Sequence, residues 1–305
     1  MSDSPAADAP GRAFIPSSRA AALALIAFGY IVALVAAAAV VYAWPTLPSW
    51  QRVAAADVAA TVVIFVFSVV YNNSSFYDAY WSVAPIPVAA WLAVEAGGWT
   101  PRRALVVALV AAWGARLTWN WARGWSGFGH EDWRYVAYRH KAGRAYWLVS
   151  FFGLHFMPTL TVFLGMLALW PALQSTAPLG LIDAAAVLVT AGAIVLEATA
   201  DAQLRAFRLQ GGHAPGQIMQ TGLWARCRHP NYLGEISFWW GLYLFGLAGD
   251  RHAWTWMLVG PAWITIMFAT ISIPLIDRRS LARRPGYAEH IGRVPALLPL
   301  GRPRA

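Results

Sequence analysis

Ala20–Ala43 is a run of twenty-four residues without a charge. At 1.5 Å per residue such a helix exceeds the roughly 30 Å hydrocarbon core of a bilayer. It is too long for the apolar region of a signal peptide, so it reads as a retained membrane helix. Comparable runs follow at Ala54–Tyr71, Ala104–Trp121, Tyr146–Leu169, Leu181–Ala200, Tyr232–Gly249 and Ala253–Ile276. Trp81–Val94 is shorter and holds Pro85 and Pro87, the pattern of a bent or re-entrant segment packed inside protein. With 59% apolar and 12% charged residues, the chain lies far from soluble domains, which average roughly 45–50% and about 25%. The expectation is an all-α polytopic membrane bundle of about eight spans, with cytoplasmic loops capping a nucleotide site.

Charge placement orients this layout. With the N-terminus cytoplasmic, eighteen of the 23 Lys and Arg residues fall in inside segments and four in outside loops, the asymmetry that fixes both termini inside. The net charge of +9 therefore serves topology rather than nucleic acid. One cysteine, Cys227, excludes an internal disulfide and a Cys-based metal site. Residues 1–19 read as a disordered tail. Residues 20–145 read as N-terminal membrane helices and 146–305 as a C-terminal membrane domain, for which the resemblance given below implies substrate-side groups and a cofactor site respectively. An Ala- and Arg-rich chain with a single lysine, Lys141, suggests a GC-rich bacterial genome and hence an inner membrane.

Asp57, Arg116, Asp183, Glu197 and Glu235 lie within spans, where each ionisable group costs roughly 2.5–3.5 kcal/mol to insert and usually faces a partner or cavity. Asp57 and Asp183 sit near span ends, where water would be in reach. Glu197, Asp201, Arg205 and Arg208 follow one helix face, either as a self-paired helix end or as a polar stripe leading to a basic mouth. The most informative stretch is Thr221–Glu235, TGLWARCRHPNYLGE. Its Pro230 fixes an extended turn before a helix, and a helix N-terminus flanked by Arg226 and Arg228 is an anion site. A basic turn touching anionic lipid explains the arginines equally well, but not Asn231, Tyr232 and Glu235 behind them. Gly127-Phe-Gly129 has no preceding strand, and Gly211–Gly216 lacks the Lys-Ser/Thr of a phosphate loop. His155, alone on an apolar span, reads as a hydrogen-bonded packing residue. No metal site is expected.

Arg228–Glu235 resembles the signature of the steroid 5α-reductase C-terminal family, particularly its bacterial branch of uncharacterised membrane proteins (DUF1295). Asp201–Arg208 resembles that family's Asp-x-x-Leu-Arg-x-x-Arg stretch, and Thr221–Trp224 its Gly-Gly-Leu-Phe approach. Arg283–Pro299 is similar to its ending, and Gly127–Tyr135 looks like the bacterial branch. Phe76–Pro85 is loosely similar to the eukaryotic enzymes. The resemblance implies an NADPH-dependent reductase of an activated carbon–carbon double bond in a lipophilic enone. It further implies that Asp201, Arg205, Arg208, Arg228, His229, Asn231, Tyr232, Tyr287 and Arg293 contact the cofactor. Arg278 and Arg279 fall where the family has a basic approach. His229 and Pro230 fit sterol reductases and the bacterial branch better than steroid 5α-reductases, which puts a steroid substrate in question.

Hydride transfer to an enone places negative charge on its carbonyl oxygen, and a protonated carboxyl or phenol stabilises it. Glu235, Asp78 with Tyr77, and Glu131/Asp132 with Tyr135 are the available groups. Asp78 is the favoured acid with Tyr77 or Tyr135 as partner, and Asp132 orients. An Asp in such a turn serves equally as a helix cap. The rival activity is an S-adenosylmethionine-dependent membrane methyltransferase, since enzymes acting on lipid or prenylated substrates share an Arg-His-Pro-x-Tyr stretch. A transporter or non-catalytic lipid-binding protein ranks third, weakened by the lack of an inverted repeat. Lipophilic substrate and membrane lipid are the expected partners.

Overall fold

The computed structural model describes residues 16, 18–211 and 216–298, which are mostly helical and without a strand. Most of the expected N-terminal tail and the closing Pro299 lie outside them. The principal helices are α1 (Arg19–Ala43), α2 (Ser49–Val70), α3 (Pro85–Glu95), α4 (Pro101–Gly124), α5 (Trp133–Ala142), α6 (Met157–Met166), α7 (Leu169–Gln174), α8 (Leu181–Leu209), α9 (Pro230–Gly249), α10 (Val259–Met267), α11 (Ile273–Arg283) and α12 (Tyr287–Arg293).

Five helical stretches are long and apolar enough to cross a membrane: Arg19–Ala43, Ser49–Val70, Trp133–Met166, Leu181–Leu209 and Arg251–Arg283. The expected count of eight is thus not confirmed by length and composition, for three readable reasons. Helix α3 has eleven residues, about half a bilayer at 1.5 Å each. Helix α4 carries Arg102, Arg103, Arg116 and Arg123 along its length. Helix α9 is a core helix, with Glu235 among eleven buried residues.

The chain divides into two compact units that interleave in sequence: residues 1–84 with 117–160, and residues 85–116 with 161–305. In the first, α1 packs along α2, and Ile26, Ala33, Ala60, Ile64, Phe76, Tyr77 and Tyr80 form the buried core. Ser18 caps α1 by accepting from Ala21 N at 3.2 Å, and Arg19 ties that end down by donating to the carbonyls of Trp125 and Ala122. The turn at Ser74–Tyr77 is entirely buried. Before α6 the helix widens into a π-turn over Ser150–Phe156, a feature found most often at functional positions.

In the second unit α8 and α9 pack along one another. Small residues permit this approach: a Cβ on Gly234 would stand 2.7 Å from Glu197 Cβ and 3.0 Å from the Ala193 carbonyl oxygen. Arg102 grips Asp183 through two bonds of 2.6 and 2.8 Å, and its remaining N–H groups reach Ser175 Oγ and the carbonyls of Ala177 and Pro178. Asp57 and Asp183, expected at the water's edge, are 7% and 3% exposed. Asp183 is satisfied from within its own unit, whereas Asp57 has a hydrogen-bond partner at Oδ1 alone.

Candidate functional site

The stretch Thr221–Asn231 is shaped by three sets of bonds in the second unit. Gln203 Oε1 accepts from Leu223 N at 2.9 Å, and the Trp224 indole donates to the Ala200 carbonyl at 3.0 Å. Both fasten the loop to α8. Gly222 makes this possible: its φ is +59°, and a Cβ there would meet Gln203 Oε1 at 2.5 Å. At the other side Arg228 N and His229 N donate to the carbonyls of Pro295 and Ala296 at 2.9 and 3.1 Å, and Cys227 Sγ reaches Ala296 O at 3.2 Å. Burial raises the pKa of that thiol, so it stays protonated and unreactive. Pro230 then opens α9 as its first residue, where its missing N–H costs nothing.

Asp277 of α11 is the hub beneath this turn, and nothing in the sequence pattern marked it. Its carboxylate accepts from Arg228 Nη2 at 2.9 Å, His229 Nε2 at 3.0 Å and the Tyr287 hydroxyl at 2.8 Å. Burial together with Asp277 pushes the Tyr287 phenol up to about 12, which keeps it a donor. His290, beside Tyr287, is held neutral by burial and by the Arg228 charge. Arg228 Nη1 donates to the carbonyls of Ile291 and Val294. His229 stacks on Tyr232 with ring centroids 5.3 Å apart.

These elements enclose a cavity of about 620 Å³, within the range of small-molecule and cofactor sites. Its walls include Arg208, Arg228, His229, Asn231, Tyr232, Arg279 and Tyr287 from the expected set. Gln217, Trp224, Arg283 and Arg284 join them without having been singled out as site residues, although Arg283–Tyr287 stands in the motif read from the sequence. Among the described residues no Asp or Glu lines the cavity, against five arginines. The Arg228 side chain is 9% exposed, and its Nε is buried without a hydrogen-bond partner among the described residues. A buried donor left open beside four other guanidinium groups suits a multiply charged anion.

Other expected contacts lie elsewhere. Asp201 pairs with Arg116 at 2.9 Å, and Arg116 also holds Glu197 at 2.6 Å. Arg293 pairs with Glu289 one turn away on the exposed face of α12. Arg205, Arg278 and Arg293 are not among the residues lining the cavity. Glu235 spends both oxygens on the indole N–H groups of Trp113 (3.0 Å) and Trp239 (2.8 Å).

In the first unit the structure brings Asp78 and Tyr135 together, with the phenol donating at 2.8 Å. Trp121 Nε1 approaches the other Asp78 oxygen at 3.4 Å. Tyr77 bonds Thr159 instead, at 2.7 Å, and Asp132 caps α5 and pairs with Arg134. A second acid–phenol pair was not anticipated: Tyr80 donates to Asp57 Oδ1 at 3.0 Å. Asp57 Oδ2 is buried with no hydrogen-bond partner among the described residues.

Burial raises the Asp78 carboxyl from 3.8 to about 6. The folded chain then binds a proton that the unfolded chain has released, so stability declines as pH rises from 3.8 to about 6. Asp78→Asn keeps an acceptor for Tyr135 and is expected to remove that part of the decline. Melting temperatures of both proteins across this range check it, and parallel curves would refute it.

The family model described as "Protein of unknown function (DUF1295)" matches residues 64–294. A protein of Schizosaccharomyces pombe, described only as uncharacterized, is 26% identical over 262 residues, covering 78% of this chain and 76% of its own. No solved structure matches.

Proposed function

We propose, for a chain that belongs to the DUF1295 family, that it is a membrane-embedded, NADPH-dependent reductase of an activated carbon–carbon double bond in a lipophilic enone, akin to steroid 5α-reductases through their bacterial branch. The observation that carries this reading is the carboxylate-free arginine cavity with the open Arg228 Nε–H. A pyrophosphate and a 2′-phosphate suit such walls, whereas S-adenosylmethionine has no phosphate and is itself cationic. The natural setting is a bacterial inner membrane with both termini and the cavity on the cytoplasmic side.

Bound there, NADPH would supply a hydride to the β-carbon of the enone. Arg208, Arg279, Arg283 and Arg284 balance phosphate charge, Arg228 offers its Nε–H, and the start of α9 with Asn231 and Tyr232 forms the wall. The reaction also needs a proton. As charge grows on the carbonyl oxygen, a donor excluded from water stabilises it. Of the two buried carboxyl–phenol pairs, Asp57 with Tyr80 is the one with an uncommitted oxygen, Oδ2, which donates when protonated. Asp78 has donors at both oxygens, which favours its role as an acceptor and an anchor for Tyr135. The carboxyl proton passes to the carbonyl oxygen, and the resulting enol rearranges to the saturated ketone.

The test is thermal stabilisation of the detergent-purified chain by NADPH, NADH and S-adenosylmethionine. A ligand at 100 times its dissociation constant contributes about 2.7 kcal/mol. NADPH is expected to stabilise the protein, and Asn231→Ala and Arg208→Ala to weaken that effect. Stabilisation by S-adenosylmethionine alone would overturn the reading in favour of a methyltransferase.

A further inference from the structure

The stretch Trp133–Met166 is helical over 34 residues, roughly 50 Å at 1.5 Å each against roughly 30 Å of bilayer hydrocarbon. One end of it therefore stands outside the apolar layer. Gly143, with φ of +51°, ends α5 and marks the division. On one side lie Arg134, Arg139, His140 and Lys141 of α5. On the other, beyond Arg144, no Asp, Glu, Lys or Arg occurs until Asp183. Two of these cations are committed. Arg134 pairs with Asp132. Arg139 pairs with Glu131 at 3.2 Å and lies over the Tyr146 and Trp147 rings, 3.9 and 5.2 Å from their centroids, which pins the end of α5 to the start of the span.

Lys141 and Arg144 are different. Both are exposed, and among the described residues neither is held in an ion pair. A cation in the last turn of a helix complements its dipole, which accounts for Lys141 but not for Arg144 beyond the break. Past Arg144 the surface is apolar. Arg144, Leu148 and Phe152 follow at four-residue steps along one side of the stretch, and Leu148 and Phe152 are 65% and 55% exposed. Gly153 lies beside them in the π-turn. Its φ is not left-handed, and a Cβ there would meet nothing within 4 Å. Neither the backbone nor packing within the chain requires a glycine at this position. Its effect is a notch beside Phe152, nine residues or roughly 13 Å beyond Arg144, a depth that stays within one leaflet.

We propose that this edge of the first unit binds one anionic phospholipid, with the headgroup phosphate at Lys141 and Arg144 and an acyl chain along Leu148 and Phe152 into the notch at Gly153. The guanidinium supplies paired donors to phosphate oxygens, and the ammonium adds a compact charge. A zwitterionic lipid brings its own ammonium to the same place, so two uncompensated cations select a lipid of net negative charge. The apolar row distinguishes this site from general attraction of a basic segment to a charged bilayer, which needs no notch. The site is independent of the reductive reading above, and neither stands or falls with the other.

The experiment supplies the detergent-purified full chain with equal amounts of phosphatidylglycerol and phosphatidylcholine and counts retained lipid by native mass spectrometry. One phosphatidylglycerol per chain is expected in preference. Lys141→Gln combined with Arg144→Gln should weaken its retention about thirtyfold, a factor of about five for each cation. Gly153→Leu fills the notch without altering charge and should weaken retention as well. Arg251→Gln, an exposed cation of the second unit, should leave it unchanged. Lys141 is the single lysine, so its rate of acetylation places the headgroup: phosphatidylglycerol should slow it, and soluble glycerol phosphate at the same concentration should not. Circular dichroism verifies folding, and Phe152→Ala replaces Gly153→Leu if the latter fails to fold. Equal retention of the two lipids overturns the proposal, as does undiminished selectivity in the glutamine variants. Loss in those variants with full retention in folded Gly153→Leu and Phe152→Ala overturns it too, because surface charge alone then explains the binding.

Discussion

Asp277→Ala is expected to lower stability by about 3–5 kcal/mol, the cost of removing one partner from a buried charged pair, and to abolish stabilisation by NADPH. Three donors converge on that carboxylate, from Arg228, His229 and Tyr287. They come from three parts of the cavity wall: the turn before α9, its N-terminal cap and the start of α12. Without Asp277, Arg228 keeps its bonds to the Ile291 and Val294 carbonyls but loses the only carboxylate that neutralises it among its described partners. The guanidinium then no longer presents its Nε in a fixed direction. Calorimetry or dye-monitored melting, with and without NADPH, reads both effects. A variant that melts lower yet retains the full nucleotide shift would show that Asp277 supports the fold and not the site.

Arg116→Met should be comparably severe, by about 3–5 kcal/mol, for a different reason. Arg116 is a single cation shared by Glu197 and Asp201 at 2.6 and 2.9 Å, and the three side chains are 14%, 6% and 12% exposed. Its loss leaves two carboxylates facing one another about one helical turn apart on α8. Adding Glu197→Gln to Arg116→Met removes one of those charges and is expected to recover part of the stability. A double variant no better than the single would mean that packing of the arginine stem, rather than charge, accounts for the loss.

How much of this was legible beforehand depended on the range of the interaction. Long uncharged runs and the Pro230 boundary are local properties, and they announced a helical membrane protein and the start of α9. Of the cavity's arginines, Arg208 and Arg228 stand in motifs of recognisable spacing, Arg279 was marked only by a resemblance in which the residues differ, and Arg283 and Arg284 were not singled out. Asp277 was not, since its three partners lie 10 to 49 residues away and only the folded chain gathers them. Asp57 was misjudged for the same reason. Its position near the start of a span suggested water, whereas Tyr80, 23 residues on, supplies the hydrogen bond instead. Glu235 stood in the most informative motif and was weighed as a catalytic acid, but two distant indoles occupy it. The interleaving of the two units likewise has no trace in a composition that changes little along the chain.

The backbone bonds from Arg228 and His229 to Pro295 and Ala296 have a consequence for biosynthesis. The membrane helices can insert in order as they leave the ribosome, but the loop before α9 holds only its bonds to α8 until residues 294–296 have emerged. On the reductive reading, nucleotide affinity then depends on residues 294–296. A chain stopped after Arg293 would carry every membrane helix and would fail to retain NADPH in a binding assay.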